Sequence, residues 1–221
     1  MAIHLLDVYR SPNIGMFMKC NDKFLLVPKG LASTKASKLS SFLGVELIKV
    51  SISGLRLIGP LVAMNNKGIM VSRLAEDEEI REIKKETGLP VERLPTKYTS
   101  VGNLIVVNDY GAIASEILPN QAIKIFADVF DVQVETMSIA SYYQIGAMAV
   151  ATNSGAVVHP KASEVEVKKI RDIFKVDAEP STVNSGVPYV ASGIIANSKN
   201  AVVGSLTNGS ELLILSRALK V

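Results

Sequence analysis

One thiol, two imidazoles and a scatter of basic side chains are the groups in this sequence that could do chemistry. Cys20 is its one cysteine, and His4 and His159 are its two histidines. A thiolate nucleophile needs a base or a positive field beside it. Cys20 falls instead in a polar stretch, residues 20–23, that reads as a turn. His4 lies in an alternating apolar segment, and His159 precedes Pro160, a place that closes a strand more readily than it houses a base. One thiol and two distant imidazoles give no zinc spacing. Neither GxxxxGK[ST] nor a post-strand GxGxxG occurs. Asn65-Asn66-Lys67-Gly68 could cradle an anion, but hairpin chemistry accounts for it. These residues point away from catalysis, cofactors and metals and toward a binding protein.

The basic residues allow two readings. Lys35 and Lys38 share one helix face, Lys168 and Arg171 another, and Lys161 lies in the same unit as Lys168. They could neutralise nucleic-acid phosphates, or they could serve solubility alone. The formal charge is +3 and the isoelectric point near 8.9, which is only mildly basic. Aromatic residues make up 5% and Trp is absent, which argues against a base-stacking platform. The charged run 76–85 reads as a solvated helix face. At 48% hydrophobic and 20% charged, the chain can bury a sizeable core. A single cysteine fits a reducing compartment. No apolar run reaches the ~18–20 residues of a membrane span, and MAIHLLDVYRS is too short and too polar for a signal peptide. The expectation is a soluble cytoplasmic monomer with no membrane partner.

The elements that must position any site recur along the chain. IGPLVAMNNKGIMV at 58–71, VGNLIVVNDYGAIA at 101–114 and IGAMAVATNSGAVV at 145–158 are one phrase: a Gly, an apolar run, a polar turn and a second apolar run. IGMFMKCNDKFLLV at 14–27 and SGIIANSKNAVVG at 192–204 are looser copies. The leading glycines Gly15, Gly59, Gly102, Gly146 and Gly193 are 44, 43, 44 and 47 residues apart. An amphipathic helix follows each hairpin: Ala36, Leu39 and Leu43 mark the first, then come 76–87, 121–130, a fourth with Ser163 and Glu166 at capping-box spacing, and 210–219. Alternation at 45–52, 91–94 and 132–139 predicts closing strands.

The segment 3–9 is a spare strand in front of the first copy, and the fifth copy stops without its own. Counted across the join from Gly193 to Gly15, the spacing is again 43. The expected fold is an α/β, five-fold pseudosymmetric α/β propeller whose ring is closed by the N-terminal strand. It is one domain, 1–221, with units near 9–53, 54–96, 97–140, 141–187 and 188–221, the last completed by 1–8. A WD40 propeller has a similar period, but each unit here contains a helix and the Trp-Asp dipeptide cannot occur. The leading glycines should lie where five strands converge and backbones approach closely. The residues after them, Met16, Pro60, Asn103, Ala147 and Ile194, should gather at one end. Four are small or apolar and one is an amide, which suits either the dry centre of a protein contact or a plug in the ring's own channel.

The repeat phrases, together with Gly102-Asn103, Asn108-Asp109-Tyr110, Val158-His159-Pro160-Lys161 and Ser181-Thr182-Val183-Asn184, closely resemble the translation initiation factor 6 family. The resemblance runs from Ile3 to Val221 and is to the archaeal form, since the chain ends with the last helix rather than with the C-terminal tail of eukaryotic members. It implies a pentein-type propeller that binds the large (50S) ribosomal subunit, prevents its association with the small (30S) subunit and has a place in large-subunit maturation. It also implies docking of one ring end on a ribosomal protein beside the sarcin–ricin loop, with possible rRNA contacts, so it favours the contact reading of Met16, Pro60, Asn103, Ala147 and Ile194. Asn103 matches a family position associated with that contact. Pro60 departs from the eukaryotic pattern, where a basic residue is usual. The same fold hosts guanidine-modifying enzymes, the rival reading, but these use a cysteine late in the chain and Cys20 is in the first unit.

Overall fold

The computed structural model describes residues 2–221. Among them are five three-stranded sheets. In chain order the first four are built from Lys19–Cys20, Phe24–Pro28 and Glu46–Val50; Val62–Met64, Ile69–Val71 and Val91–Arg93; Ile105–Val107, Ala112–Ala114 and Val134–Thr136; and Ala149–Ala151, Ala156–Val158 and Ala178–Pro180. The fifth joins Ile194–Ala196 and Asn200–Val203 to the N-terminal strand Ala2–Leu5, which runs parallel to Asn200–Val203 with Ala2 opposite Asn200 and Leu5 opposite Val203. In every sheet the middle strand is antiparallel to the strand before it and parallel to its other neighbour.

In the first four sheets a helix of 11 residues makes the crossover between the parallel strands: Ser33–Leu43, Asp77–Thr87, Asn120–Phe130 and Glu164–Phe174; Gly209–Leu219, also 11 residues, follows the middle strand of the fifth. Local chemistry starts and stops them. Ser163 Oγ accepts from the Glu166 N–H while Glu166 accepts from the Ser163 N–H, and Asn208 and Glu211 do the same, which satisfies orphan amides at both helix starts. Each helix ends on a left-handed residue, Gly44, Gly88, Asp131, Lys175 or Lys220.

The closing strands are shorter than the alternation predicts, for a shared reason. Val8, Ile52, Ile139 and Val183 are fully buried, but each forms an isolated bridge rather than continuing its sheet: Val8 with Ser11, Ile52 with Leu55, Ile139 with Tyr142 and Val183 with Val187. The chain reverses there through left-handed residues, Tyr9-Arg10, Ser53-Gly54, Ala140-Ser141 and Asn184-Ser185-Gly186. The apolar alternation is real, and the sheet it implies is interrupted by a tight turn.

The core is divided among five clusters, and each draws on two neighbouring sheets. Alternation along the middle strands does this. Phe24 and Leu26 join the second sheet's cluster, whereas Leu25 and Val27 join the first sheet's own. Met70 packs with the third sheet while Ile69 and Val71 stay with the second. Ile113 reaches the fourth and Val157 the fifth. Val202, of the fifth sheet, packs in the cluster of the first. Burial on both faces explains why these strands read as continuous apolar runs, and no sheet buries its apolar residues without a neighbour.

The leading glycines sit in short helical turns that precede the first strands: Ile14–Met16, Ile58–Leu61, Val101–Asn103 and Ile145–Met148. A Cβ on Gly59 would come within 1.8 Å of the Gly15 carbonyl oxygen, one on Gly102 within 2.0 Å of Gly59 O and one on Gly146 within 2.0 Å of Gly102 O. Backbone of one turn occupies the space of the next turn's side chain. The turn glycines obey a similar rule. Gly68, Gly111 and Gly155 have no positive φ, so the hairpin reading of Asn65–Gly68 misjudged why the glycine is there. A Cβ would instead meet the carbonyls of Val129, Ile173 and Ala218 at the following helix ends, at 2.0, 2.4 and 1.8 Å.

At the hairpin end the five turns are linked by hydrogen bonds in series. The N–H of Asp22 donates to Asn66 Oδ1, Asn66 to Asp109, Asp109 to Asn153, Asn153 to Ser198 Oγ, and Ser198 back to Asp22. The Asn66 and Asn153 amides both donate to the Asp22 and Asp109 carboxylates. Burial raises the Asp22 pKa, and the hydrogen bonds from Ser198, Asn66 and Asn153 outweigh it, so the carboxyl lies below its usual value. A group depressed on folding adds stability above its unfolded pKa and loses it as pH falls through the folded one.

Two outcomes are expected in unfolding experiments. Gly59→Ala should lose at least about 2 kcal/mol, a fall in Tm of roughly 4–8 °C. Gly209→Ala, where a Cβ meets nothing within 4 Å, should gain about 0.4–1 kcal/mol; equal melting of both variants would contradict the packing argument. Asp22→Asn should cost about 1–2 kcal/mol at pH 7, and its deficit against the parent should vanish in titrations taken below the carboxylate range.

Candidate functional site

The structure gathers four of the five residues expected at one end. Met16, Pro60, Asn103 and Ala147 line a single depression with Gly15, Gly59, Gly102 and Gly146. Ile194 is not among them. It opens an inner strand, is buried, and lines the narrow bore behind the depression. The fifth helical turn is Val190–Gly193, so Ala191 stands where the other turns carry glycine, and a Cβ on Gly15 would meet Ala191 O at 1.9 Å. Ser192 is therefore the fifth residue at the depression. The 47-residue step ends on Gly193, the last residue of its turn; the turns themselves start at Ile14, Ile58, Val101, Ile145 and Val190. The signal was present in Val190-Ala191-Ser192, which keeps the branched apolar residue of the phrase and replaces its glycine.

The depression holds about 40 Å³ of water-accessible space and the bore about 50 Å³. Sites for metabolites run to ~300–1,000 Å³, well above either volume. The segments that lead into these turns carry exposed apolar and aromatic side chains, and tyrosine and arginine are residue types that anchor protein contacts. Leu55, Leu57, Tyr142, Tyr143 and Tyr189 are exposed, and the Arg56 guanidinium stacks 5.5 Å from the centre of the Tyr9 ring. Tyr142 and Tyr189 meet edge to face at 6.2 Å.

The groups weighed as catalysts are placed for packing. His159 is buried at 3% exposure between Tyr142 and Tyr189. Its Nδ1 accepts from the Lys161 N–H at 3.1 Å, and burial, then Lys161, lowers its pKa. His4 stacks on Phe42 with ring centres 3.9 Å apart. Cys20 lies in a strand, not in the turn where the sequence reading put it, and its Sγ donates to Ala196 O at 3.1 Å. Burial pushes the thiol up to about 12. Among the described residues no three His, Cys, Asp or Glu side chains form a metal-binding group, and no helix is long and apolar enough to cross a membrane.

Of the basic residues singled out, Arg171 is committed to the Ala178 carbonyl and Lys35 to the Asp7 carbonyl, which leaves Lys38, Lys161 and Lys168 exposed. The charged helix Asp77–Thr87 turns Ile83 and Thr87 inward and pairs outward, Asp77 with Arg93 and Glu82 with Lys29. Lys19 is the residue the sequence reading missed. It lines both the depression and the bore, and only the apolar run around it in MFMKC marked it as unusual.

The model of the eIF-6 family matches residues 3–218. The chain is 51% identical over 218 residues to translation initiation factor 6 of Nitrosopumilus maritimus and 48% identical over 218 residues to that of Cenarchaeum symbiosum, in each case covering 99% of both chains. It is 44% identical over 224 residues to the Pyrococcus furiosus protein of the same name, again with 99% of both chains covered.

The state of Cys20 can be checked directly. In the native protein at pH 8 it should react with a disulfide reagent at least about a hundredfold more slowly than after unfolding; reaction at the unfolded rate would contradict the assignment.

Proposed function

The chain belongs to the eIF-6 family, and we propose that it is a translation initiation factor that binds the large (50S) ribosomal subunit and prevents its association with the small (30S) subunit. The observation that carries this reading is the match along nearly the whole chain to relatives named translation initiation factor 6. The site chemistry supports it: one end offers a shallow surface with anchor residues around it, and the thiol and imidazoles are spent on packing.

The mechanism is occlusion. The five sheets form one domain, a pentein-type propeller closed by the N-terminal strand. The pairing of Ala2–Leu5 with Asn200–Val203 supports closure, as does the hydrogen-bond series that returns to Asp22. A rigid body on the intersubunit face needs no covalent step to exclude the small subunit. The docking residues are Asn103, Met16, Pro60 and Ala147, with Ser192 in the place first given to Ile194. Their partner is a ribosomal protein beside the sarcin–ricin loop, and the exposed lysines Lys38, Lys161 and Lys168 are available to rRNA. The protein works in the cytoplasm as a monomer, is not an enzyme, and takes part in large-subunit maturation by the same binding. A guanidine-modifying activity would need a reactive thiol, and desolvation pushes the Cys20 thiol up to about 12.

In sucrose gradients the protein should sediment with free large subunits and be absent from joined ribosomes; equal recovery in both fractions would overturn occlusion. Asn103→Glu should weaken large-subunit binding by about tenfold or more with an unchanged melting temperature. A large fall in stability would instead make Asn103 a plug of the bore.

A further inference from the structure

The two ends of the bore differ in how their polar groups are satisfied. At the hairpin end every donor around the axis is matched: the Asp22 and Asp109 carboxylates accept from the Asn66 and Asn153 amides, and the Ser198 hydroxyl donates to Asp22. At the depression three polar side chains come together without such partners. The Ser192 hydroxyl is buried and bonded to nothing. The Asn103 backbone N–H is used by Ser100 O, and the side chain lines the depression. Lys19 lines it too, and among the described residues its ammonium is in no ion pair.

All three can donate hydrogen bonds and one carries a positive charge, so together they suit an anionic oxygen. The nearby backbone does not oppose this, because the carbonyls of Gly15, Gly59, Gly102 and Ala191 are directed against the glycines of neighbouring turns. Burial lowers the Lys19 pKa, and the neighbouring thiol, itself pushed up to about 12, supplies no counter-charge at neutral pH. Lys19 is half-buried, a partly desolvated ammonium without a counter-charge is costly, and a partner that brings a carboxylate removes that cost.

We propose that the depression is a socket for one carboxylate of the docked protein, a Glu or Asp side chain or a chain terminus, held by Lys19 Nζ with the Asn103 amide and the Ser192 hydroxyl. The size favours a side-chain tip over RNA. A polynucleotide phosphate is flanked by sugars on both sides and cannot enter a recess of about 40 Å³ bounded by five turns. The proposal rests on the docking reading above and adds the chemistry of its centre.

Two measurements test it separately from that reading. In NMR titrations of the free protein, acetate should shift the Asn103 side-chain amide and the Lys19 methylene signals saturably, dimethyl phosphate should not, and Lys19→Gln should abolish the acetate response. With purified large subunits, Lys19→Gln should bind at least about tenfold more weakly than the parent and Ser192→Ala by about two- to fivefold, with melting temperatures equal to or above the parent's. The socket is overturned if acetate gives no saturable shift, if dimethyl phosphate is preferred, or if Lys19→Gln binds subunits as the parent does. Acetate binding by a protein that fails to bind large subunits would overturn the docking reading and leave the socket standing.

Discussion

A carbonyl oxygen in the space of a missing side chain is the contact on which the rest of the molecule depends. Gly15, Gly59, Gly102 and Gly146 each receive the backbone of a neighbouring turn at about the position a Cβ would take. Such contact fixes the distance and the register between turns more tightly than side-chain packing can, because backbone has no rotamers with which to yield. Once the turns are fixed, residues of the first strands of all five sheets line one narrow cavity of about 50 Å³. The middle strands then lie between two helix layers, and their alternate residues feed two clusters each.

The hairpin end solves the same problem with polar groups. There the side chain of one turn replaces a backbone partner for the next, and the first residue of the turn holds its own loop. Asn21, Asn65, Asn108, Thr152 and Asn197 each accept from the N–H groups two and three residues on. Low local dielectric makes a satisfied network of this kind rigid and an incomplete one costly. The network at the hairpin end is complete, whereas the Ser192 hydroxyl at the depression is left without a hydrogen-bond partner.

Much of this was legible in one dimension. The period appears because every unit meets the same two neighbours and so repeats the same demands: a glycine where backbone intrudes, an Asx or Thr to hold the hairpin, an apolar stripe on an 11-residue helix. Capping pairs such as Ser163 and Glu166 are local and were readable as such. Errors arose where two different causes give one residue type. Gly193 resembled a leading glycine, but a Cβ there would meet Val183 and Asn184 side chains, not a neighbouring turn's carbonyl. Cys20 sat beside turn residues and proved to be strand. The alternation through Val8, Ile52 and Ile139 was read as continuous strand because a bridge across a tight turn buries the same residues a strand would.

The sequence by itself determined the five copies, their order of elements and the membership of the apolar faces, since these rest on periodicity and on contacts within a few residues. The tertiary structure alone decided which residue of each copy reaches the depression, that Ser192 and not Ile194 is the fifth, and that Lys19 lines the bore in no ion pair among the described residues. Those facts depend on the register between units some 44 residues apart, and that register is set by backbone meeting backbone, which leaves only the absence of a side chain as its trace in the sequence.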